Sequence, residues 1–494
     1  MTAMLSSARI SLLDEEIHMR LRSRALSSAL LVLAVSALSA GAAGVTDAGS
    51  SANATTFINW SSYLFNTSHT SSNVAATAIT TVNAATLRQA WKWRPAAPTA
   101  TGQPAGLLAS PTVVNGTIYI GANTGVFYAL NEATGAVLWH RFLGYVSATT
   151  CGALGIVATA TVAPAPGSGT LTVYVAGGGG YLYALNAATG AIVWRSVIAV
   201  PSTTVNDYYD WSSPTVLNGR IYVGVSSNCD SPLVKGGLQE YDQATGALLG
   251  HYLTYPGHSI GASIWSTAAA DPSGKSVFVT TGNGPGGDAL SVVRLDAVTL
   301  AKKDAWQIPS TQHGGDSDFG GSPTLFTATL AGVPALMVGA CNKNGVYYAF
   351  RRNNLHAGPV WQRKIGTAYG SGGVHTQCDA AAIWDGSHLF IAGNRTLIKG
   401  VTYAGSIREV DPATGAPLWQ RGLTGAPIGA PTLNGSGVLA VSEYSNGAVL
   451  DLINAKNGTV LRSFNTGRDF GQPVFADALV LMPTQSNGLW AYKP

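Results

Sequence analysis

The sequence predicts an all-β protein: an eight-bladed β-propeller of four-stranded repeat units, its ring closed by an N-terminal strand. Three observations carry that expectation. The stretch "GVFYALNEATGAVLW" (125–139) recurs as "GYLYALNAATGAIVW" (180–194), "GGLQEYDQATGALLG" (236–250), "GSIREVDPATGAPLW" (405–419) and "GAVLDLINAKNGTVL" (447–461). The turn glycines Gly135, Gly190 and Gly246 lie about 55 residues apart, the period of a repeat architecture. Only 11% of the 494 residues are charged, against 59 glycines and 46% hydrophobic residues, which suits a β-protein with many tight turns.

Each unit reads as an inner strand near "SPTV", a second such as "TIYIG", a third such as "VFYALN" and a fourth ending in tryptophan. Period-two alternation and Asn/Asp-x-x-Thr-Gly turns make these strands joined by hairpins. Two degenerate copies, at 290–306 and 345–361, fill the gap before Gly415. The last copy, "NGLWAYKP" (487–494), lacks its outer strand, which "LRQAWKW" (87–93) can supply. Radial repetition of such sheets gives a propeller, each blade burying its faces on its neighbours. The Thr-Gly turns and outer-strand tryptophans are read as packing, without chemistry.

Ahead of the repeats, Arg20, Arg22 and Arg24 precede an apolar run and the small residues Ala40-Gly41-Ala42. That is the layout of a secretory signal peptide over 1–42, with Met19 an alternative start, then a linker over 43–54 and the propeller over 55–494. The expected product is secreted or extracytoplasmic, with no membrane span in the mature chain. A formal charge of +4 over this length gives no basic block, so nucleic acid is not an expected partner. The four cysteines of an exported chain favour disulfides. Cys341 and Cys378 fall on adjacent blades and are placed to pair, which leaves Cys151 with Cys229.

Strand direction alternates within a blade, so the loops sort onto two faces. The unusual polar residues collect on the face opposite the Thr-Gly turns. Asp230, Asn283 and Lys343 sit in the second-to-third-strand connections of blades 3, 4 and 5. Asp316 and Asp318 ("HGGDSDFGGSP") lead into blade 5; His375, Gln377 and Asp379 lead into blade 6; Asp210 and Trp211 lead into blade 3. Packing alone does not require one face. Asp230, Asn283 and Asp318 offer oxygen ligands to a hard cation such as calcium, and Lys343 offers an ammonium to an anion or a quinone oxygen. The plainer reading of each is a loop cap, a turn residue and a solvated lysine.

With these residues in place, the chain over 55–494 resembles the quinoprotein alcohol dehydrogenases, propellers that use pyrroloquinoline quinone (PQQ). "CNKNGVYYAF" is similar to the family's K-N-G turn, which implies that Lys343 contacts the quinone, with Asn342, Gln377 and His375 beside it. "TGNG" is similar to the stretch whose asparagine binds calcium, which implies Asn283. "DSDFGGSP" resembles the segment of the catalytic aspartate, which implies Asp318, with Asp316 second. The short D-F-G-x-S-P form is closest to polyvinyl-alcohol-dehydrogenase-like members. The family's adjacent-cysteine disulfide is missing, Asp230 stands where a calcium-binding glutamate is usual, and no clear match to the tryptophan under the cofactor is found.

The resemblance implies a PQQ- and calcium-dependent dehydrogenase passing hydride from a small or polymeric alcohol to the quinone, with a separate acceptor such as a cytochrome. The competing reading is a non-catalytic repeat propeller, an interaction scaffold or binding module. Loops 145–170 and 395–405 are expected to set substrate choice.

Overall fold

Each blade is organised by the turn that repeats in the sequence. Asn131 Oδ1 accepts from the Thr134 N–H and hydroxyl at 3.1 and 3.0 Å, and Gly135 N–H donates to Asn131 O at 2.8 Å. Asn186, Asp242 and Asp411 close the same turn with Thr189, Thr245 and Thr414. Such Asx turns need a left-handed residue at the glycine, and Gly135 has φ +71°. The glycine is needed for a second reason: a Cβ there would stand 2.7 Å from the ring of Trp91, which belongs to the neighbouring blade. Trp139, Trp361 and Trp419 cover Gly190, Gly415 and Gly458 in the same way, each indole N–H donating to a carbonyl of the turn it covers.

The computed structural model describes residues 56–147, 152–202, 207–367, 377–444 and 449–494. Thr56–Pro494 form one unit; the expected signal peptide and linker (1–54) lie outside the described residues. Among those described, the strands form eight sheets, as the sequence predicts. Blade 1 is Thr112–Val114, Thr117–Gly121, Val126–Asn131 and Val137–Phe142. Blade 8 is Val474–Ala476, Leu479–Thr484 and Gly488–Lys493, completed by Arg88–Trp93 in antiparallel register from Arg88↔Lys493 to Trp93↔Leu489. The ring is therefore closed by the strand expected to close it. Between blades, buried side chains such as Met337, Tyr347 and Ile391 interlock, each fully buried large apolar group contributing about 1.5–3 kcal/mol.

Two details differ from expectation. The outer strands run through their tryptophans rather than ending there, as in Val137–Phe142 around Trp139. Residues 395–405 are not a loop: Leu389–Ile398 and Val401–Val410 form a long hairpin turning at Lys399 and Gly400.

The segment before the closing strand has its own task. Ile58 bonds with Asp477 of blade 8, Trp60 with Val113 of blade 1, and Ser61 O with Val162 N of blade 2. Thr67, Ser68, Thr70 and Ser71 then present carbonyls to Ala270, Leu325, Trp384 and Leu433, in or beside the inner strands of blades 4 to 7. At blade 3 the segment stands off, leaving a cavity of about 240 Å³ bounded by Ser62, Phe65, Pro214 and Val216. Among the described residues no helix is long and apolar enough to cross a membrane.

Candidate functional site

A chamber of about 510 Å³ opens beyond that segment, and Tyr63 and Thr267 line both it and the smaller cavity. Its walls are the loops that lead into the blades and those between second and third strands. These connections converge because each inner strand starts, and each second strand ends, on this side of its sheet.

One wall is charged. Lys343 follows the strand Val333–Cys341, and its ammonium donates to Asp316 Oδ2 at 2.9 Å and Asp318 Oδ2 at 2.8 Å. Asn283, from the equivalent connection of blade 4, donates through its backbone N–H to the Asp318 carboxylate. Its side-chain amide reaches Asp316 Oδ1 at 3.0 Å and Asp230 Oδ2 at 3.4 Å. Asp230 sits in a left-handed conformation (φ +59°) and shares reciprocal 2.8 Å bonds with the Ser227 hydroxyl. The structure thus brings together Asp230, Asn283, Asp316, Asp318 and Lys343.

The electrostatics follow from burial. Asp318 is 2% exposed, and desolvation pushes its carboxyl up to about 7, with Lys343 opposing and Asp316 and Asp230 reinforcing the shift. Asp316 is held below the usual carboxylate range, because Lys343 and Asn283 outweigh its desolvation. For Lys343, burial is overcome by Asp318, Asp379 and Asp316, so the ammonium is held strongly protonated.

Gln377 and Asp379 also line the chamber, and Gln377 Oε1 and Asp379 Oδ1 are buried without a hydrogen bond among the described residues. Burial pushes Asp379 up to about 6. Between them, Cys378 is disulfide-bonded to Cys341, tying this loop to the strand before Lys343. Cys229 lines the chamber, but its expected partner Cys151 lies outside the described residues, as does His375. Asn342 is corrected: it is wholly buried, its amide donates to Ser317 O at 2.6 Å and accepts from Asn344 N, and it serves the turn rather than the chamber. Asp210 is buried behind the wall, whereas Trp211 lines it.

Another part of the lining is aromatic, and Trp265 and Phe470 in it were not anticipated from the sequence. Trp211 lies 6.2 Å from both Trp265 and Phe470. Trp265 Nε1 is buried without an acceptor among the described residues, beside Gly282, where a Cβ would meet it at 2.4 Å and Asp318 Oδ1 at 3.1 Å. A signal was present: "DWSSP", "IWST", "DFGGSP" and "DFGQP" each place an aromatic just before an inner strand. The chamber therefore combines tilted aromatic rings with one ammonium and a set of carboxylate and amide oxygens. Such a site can hold a planar anionic molecule and a hard cation.

Residues 60–357, more than half of the chain, match the family described as glucose/ethanol/alcohol dehydrogenase, beta-propeller domain (PQQ). Residues 358–494 match a second repeat family, described as outer membrane protein assembly factor BamB. A polyvinylalcohol dehydrogenase of a Pseudomonas species is 26% identical over 358 residues, covering 62% of this chain and 52% of the relative. The quinohemoprotein alcohol dehydrogenase ADH IIB of Pseudomonas putida is 25% identical over 340 residues, covering 56% and 46%. The chain spans about half the length of these curated relatives. Among solved structures, the quinohemoprotein alcohol dehydrogenase of Comamonas testosteroni superposes with a TM-score of 0.69 at 18% identity, covering 88% of this chain and 80% of that one. That likeness shows the shared fold. The chain belongs to the PQQ β-propeller family of glucose, ethanol and alcohol dehydrogenases.

Proposed function

We propose that this protein is a PQQ- and cation-dependent alcohol oxidoreductase whose catalytic base is Asp318. The observation that carries the reading is the buried Asp318 carboxylate held between the Lys343 ammonium and the Asn283 N–H, beside an indole N–H with no acceptor among the described residues. The donor set suits both groups. PQQ is flat and polyanionic, suited to the Lys343 ammonium and to stacking on one of the chamber's indoles, Trp211 or Trp265. Asp230 and Asp318 supply oxygens for calcium, and rotating the Asn283 amide adds a third. Among the described residues no three His, Cys, Asp or Glu side chains already stand in a metal-holding arrangement; the amide now lies among the acids.

When bound, the quinone supplies a two-electron acceptor and the cation a Lewis acid. The chain's own residues then have separate tasks. Asp318 would take the hydroxyl proton of the alcohol: burial raises its pKa and a bound cation would lower it again, keeping the carboxylate ionised and able to accept a proton near neutral pH. Lys343 fixes Asp318 in place and faces the anionic cofactor. Asp316, kept ionised, holds Lys343 and is the second candidate base. Gln377 offers hydrogen-bonding capacity at the chamber edge. The aromatic wall excludes water.

Because two relatives are named polyvinylalcohol dehydrogenases, secondary and polymeric alcohols are the first substrates to try, with an electron acceptor such as a cytochrome outside the chain. Export through residues 1–42 belongs to the same proposal. The scaffold reading draws on the match of residues 358–494 to an assembly factor. Titration with PQQ and Ca²⁺, followed by calorimetry and quinone absorbance, separates the two. Calcium-dependent binding and alcohol-driven dye reduction, both lost in Asp318→Asn, support the enzyme. Dye reduction retained in that variant removes Asp318 as base, and no PQQ binding leaves the scaffold.

A further inference from the structure

Four carboxylates line the chamber, and three of them have both oxygens engaged. Asp230 accepts from Ser227 and Ser263 at Oδ1 and from Asn283 at Oδ2. Asp316 accepts from Asn283 and the Asp318 N–H at Oδ1 and from Lys343 at Oδ2. Asp318 accepts from the Asn283 N–H and from Lys343. The fourth, Asp379, has a buried Oδ1 with no partner among the described residues. The stem of Lys343 lies near that oxygen. A Cβ on Gly320 would stand 3.0 Å from Asp379 Oδ1 and 3.5 Å from Lys343 Cε, so the sum of the two, 6.5 Å, is the upper limit of their separation. Gly320 places no side chain there. The Cys341–Cys378 bridge, two residues before Lys343 and one before Asp379, fastens the two loops together at a Cα–Cα distance of 5.1 Å.

We propose that Asp379 is a second seat for the Lys343 ammonium, taken up when a cation ligates Asp318. The inference rests on the cation-dependent reading above. In that reading a divalent ion and the ammonium claim the same carboxylate, and two positive charges sharing one buried group repel. Lys343 can yield without losing acidic company. Its four-carbon stem is flexible, and turning it carries Nζ from Asp318 toward the idle oxygen of Asp379. The Lys343 backbone N–H stays on the Asp318 carbonyl at 2.9 Å, so the main chain fixes the catalytic aspartate with the ammonium in either seat. Asp379 is then a positioning residue. It ligates no cation and touches no alcohol, but it lets the cation reach Asp318.

Full-length protein stripped with chelator is titrated calorimetrically with Ca²⁺ at pH 8. Asp379→Asn is expected to weaken calcium about tenfold, because the ammonium then stays on Asp318. Lys343→Met keeps the stem, removes the charge and should tighten binding. Adding Asp379→Asn to Lys343→Met should change little, since no ammonium is left to seat. A loss in the double variant equal to that in the single one would make Asp379 a cation ligand or a general charge, and overturns the proposal. Calcium affinity unchanged in folded Asp379→Asn, but abolished in Asp318→Asn, overturns it too and leaves the chamber's cation standing. Wild-type protein that binds no calcium removes the cation reading and this inference with it. A crystal structure of the calcium-loaded wild type decides the matter if Lys343→Met does not fold. Nζ on Asp379 supports the second seat, and Nζ still on Asp318 beside the ion overturns it.

Discussion

Lys343 and Asp318 are joined twice: the Lys343 backbone N–H donates to the Asp318 carbonyl at 2.9 Å, and its ammonium to the Asp318 carboxylate at 2.8 Å. The turn of blade 5 and the loop leading into it are thus held by main chain and side chain together. Lys343 is therefore part of the framework of the charged wall.

Removing that ammonium leaves two carboxylates, one almost fully buried, without their counter-ion. Lys343→Ala is expected to lower stability at pH 8 by about 3–5 kcal/mol, and by less at pH 5, where Asp318 is protonated. Urea denaturation at the two pH values reads the difference. An equal loss at both would show that packing, not charge, is what the lysine contributes.

Calcium entering the chamber should expel protons. Asp318 sits at about 7 without a cation, and a bound cation favours the ionised form, so its pKa falls. Calorimetry at pH 6 in buffers of different ionisation enthalpy should find release approaching one proton per ion. Asp318→Asn should release markedly less.

Gly282 has no room for a methyl group between Trp265 and Asp318. Gly282→Ala is expected to cost about 1–3 kcal/mol in overpacking and to weaken PQQ binding tenfold or more. Absorbance titration alongside a thermal melt checks both. Full affinity would place the cofactor away from this wall.

How much of this could be read beforehand varies with the physics. The propeller was legible because turn and tryptophan recur together, and they recur because they are one contact: the indole of one blade lies on the glycine of the next. Where the sequence drops the tryptophan, at Gly250, the following turn carries Leu300 at φ +53° in the glycine's place. That leucine is 3% exposed and packs into the space, so the apparent degeneracy is a compensated exchange. The charged wall was legible because its residues depart from the repeat. Trp211 was legible as a residue of this face, but Trp265 and Phe470 were not, since aromatics before an inner strand resemble ordinary packing until the loops converge. Asn342 misled because a buried turn amide and a ligand-binding amide look alike in sequence.

The Cys341–Cys378 bridge closes a loop with a sequence separation of 37. A chain-entropy estimate gives it about 3–4 kcal/mol. Cys378→Ser should lower the melting temperature and, because Gln377 and Asp379 flank the bridge, weaken PQQ binding beyond the loss of folded protein. Unchanged affinity in the folded fraction would make the bridge a stability element alone.

His69 is buried in the N-terminal segment, its Nδ1–H donating to Pro323 O at 2.8 Å, and burial holds its pKa down to about 4. Between pH 6.5 and 4 the unfolded chain takes up a proton that the folded one refuses. The stability due to neutral His69 is therefore complete above about pH 6.5 and declines as pH falls, by about 2–3 kcal/mol at pH 4.5. His69→Asn tolerates the local φ of +60° and should lose less between pH 7 and 4.5 than the wild type, measured by urea midpoints.

The segment from Ile58 to Ser71 meets blades 8, 1 and 2, stands off at blade 3, and then meets 4, 5, 6 and 7, in the order in which they follow one another around the ring. Repeats of this kind are easily duplicated or lost, and neighbouring blades have no means of knowing how many others there are. A segment of fixed length that visits them in turn does. It works as a tally: one blade more or fewer would put every later carbonyl out of step with its partner. Blade number is then held at eight by fourteen residues that belong to no blade.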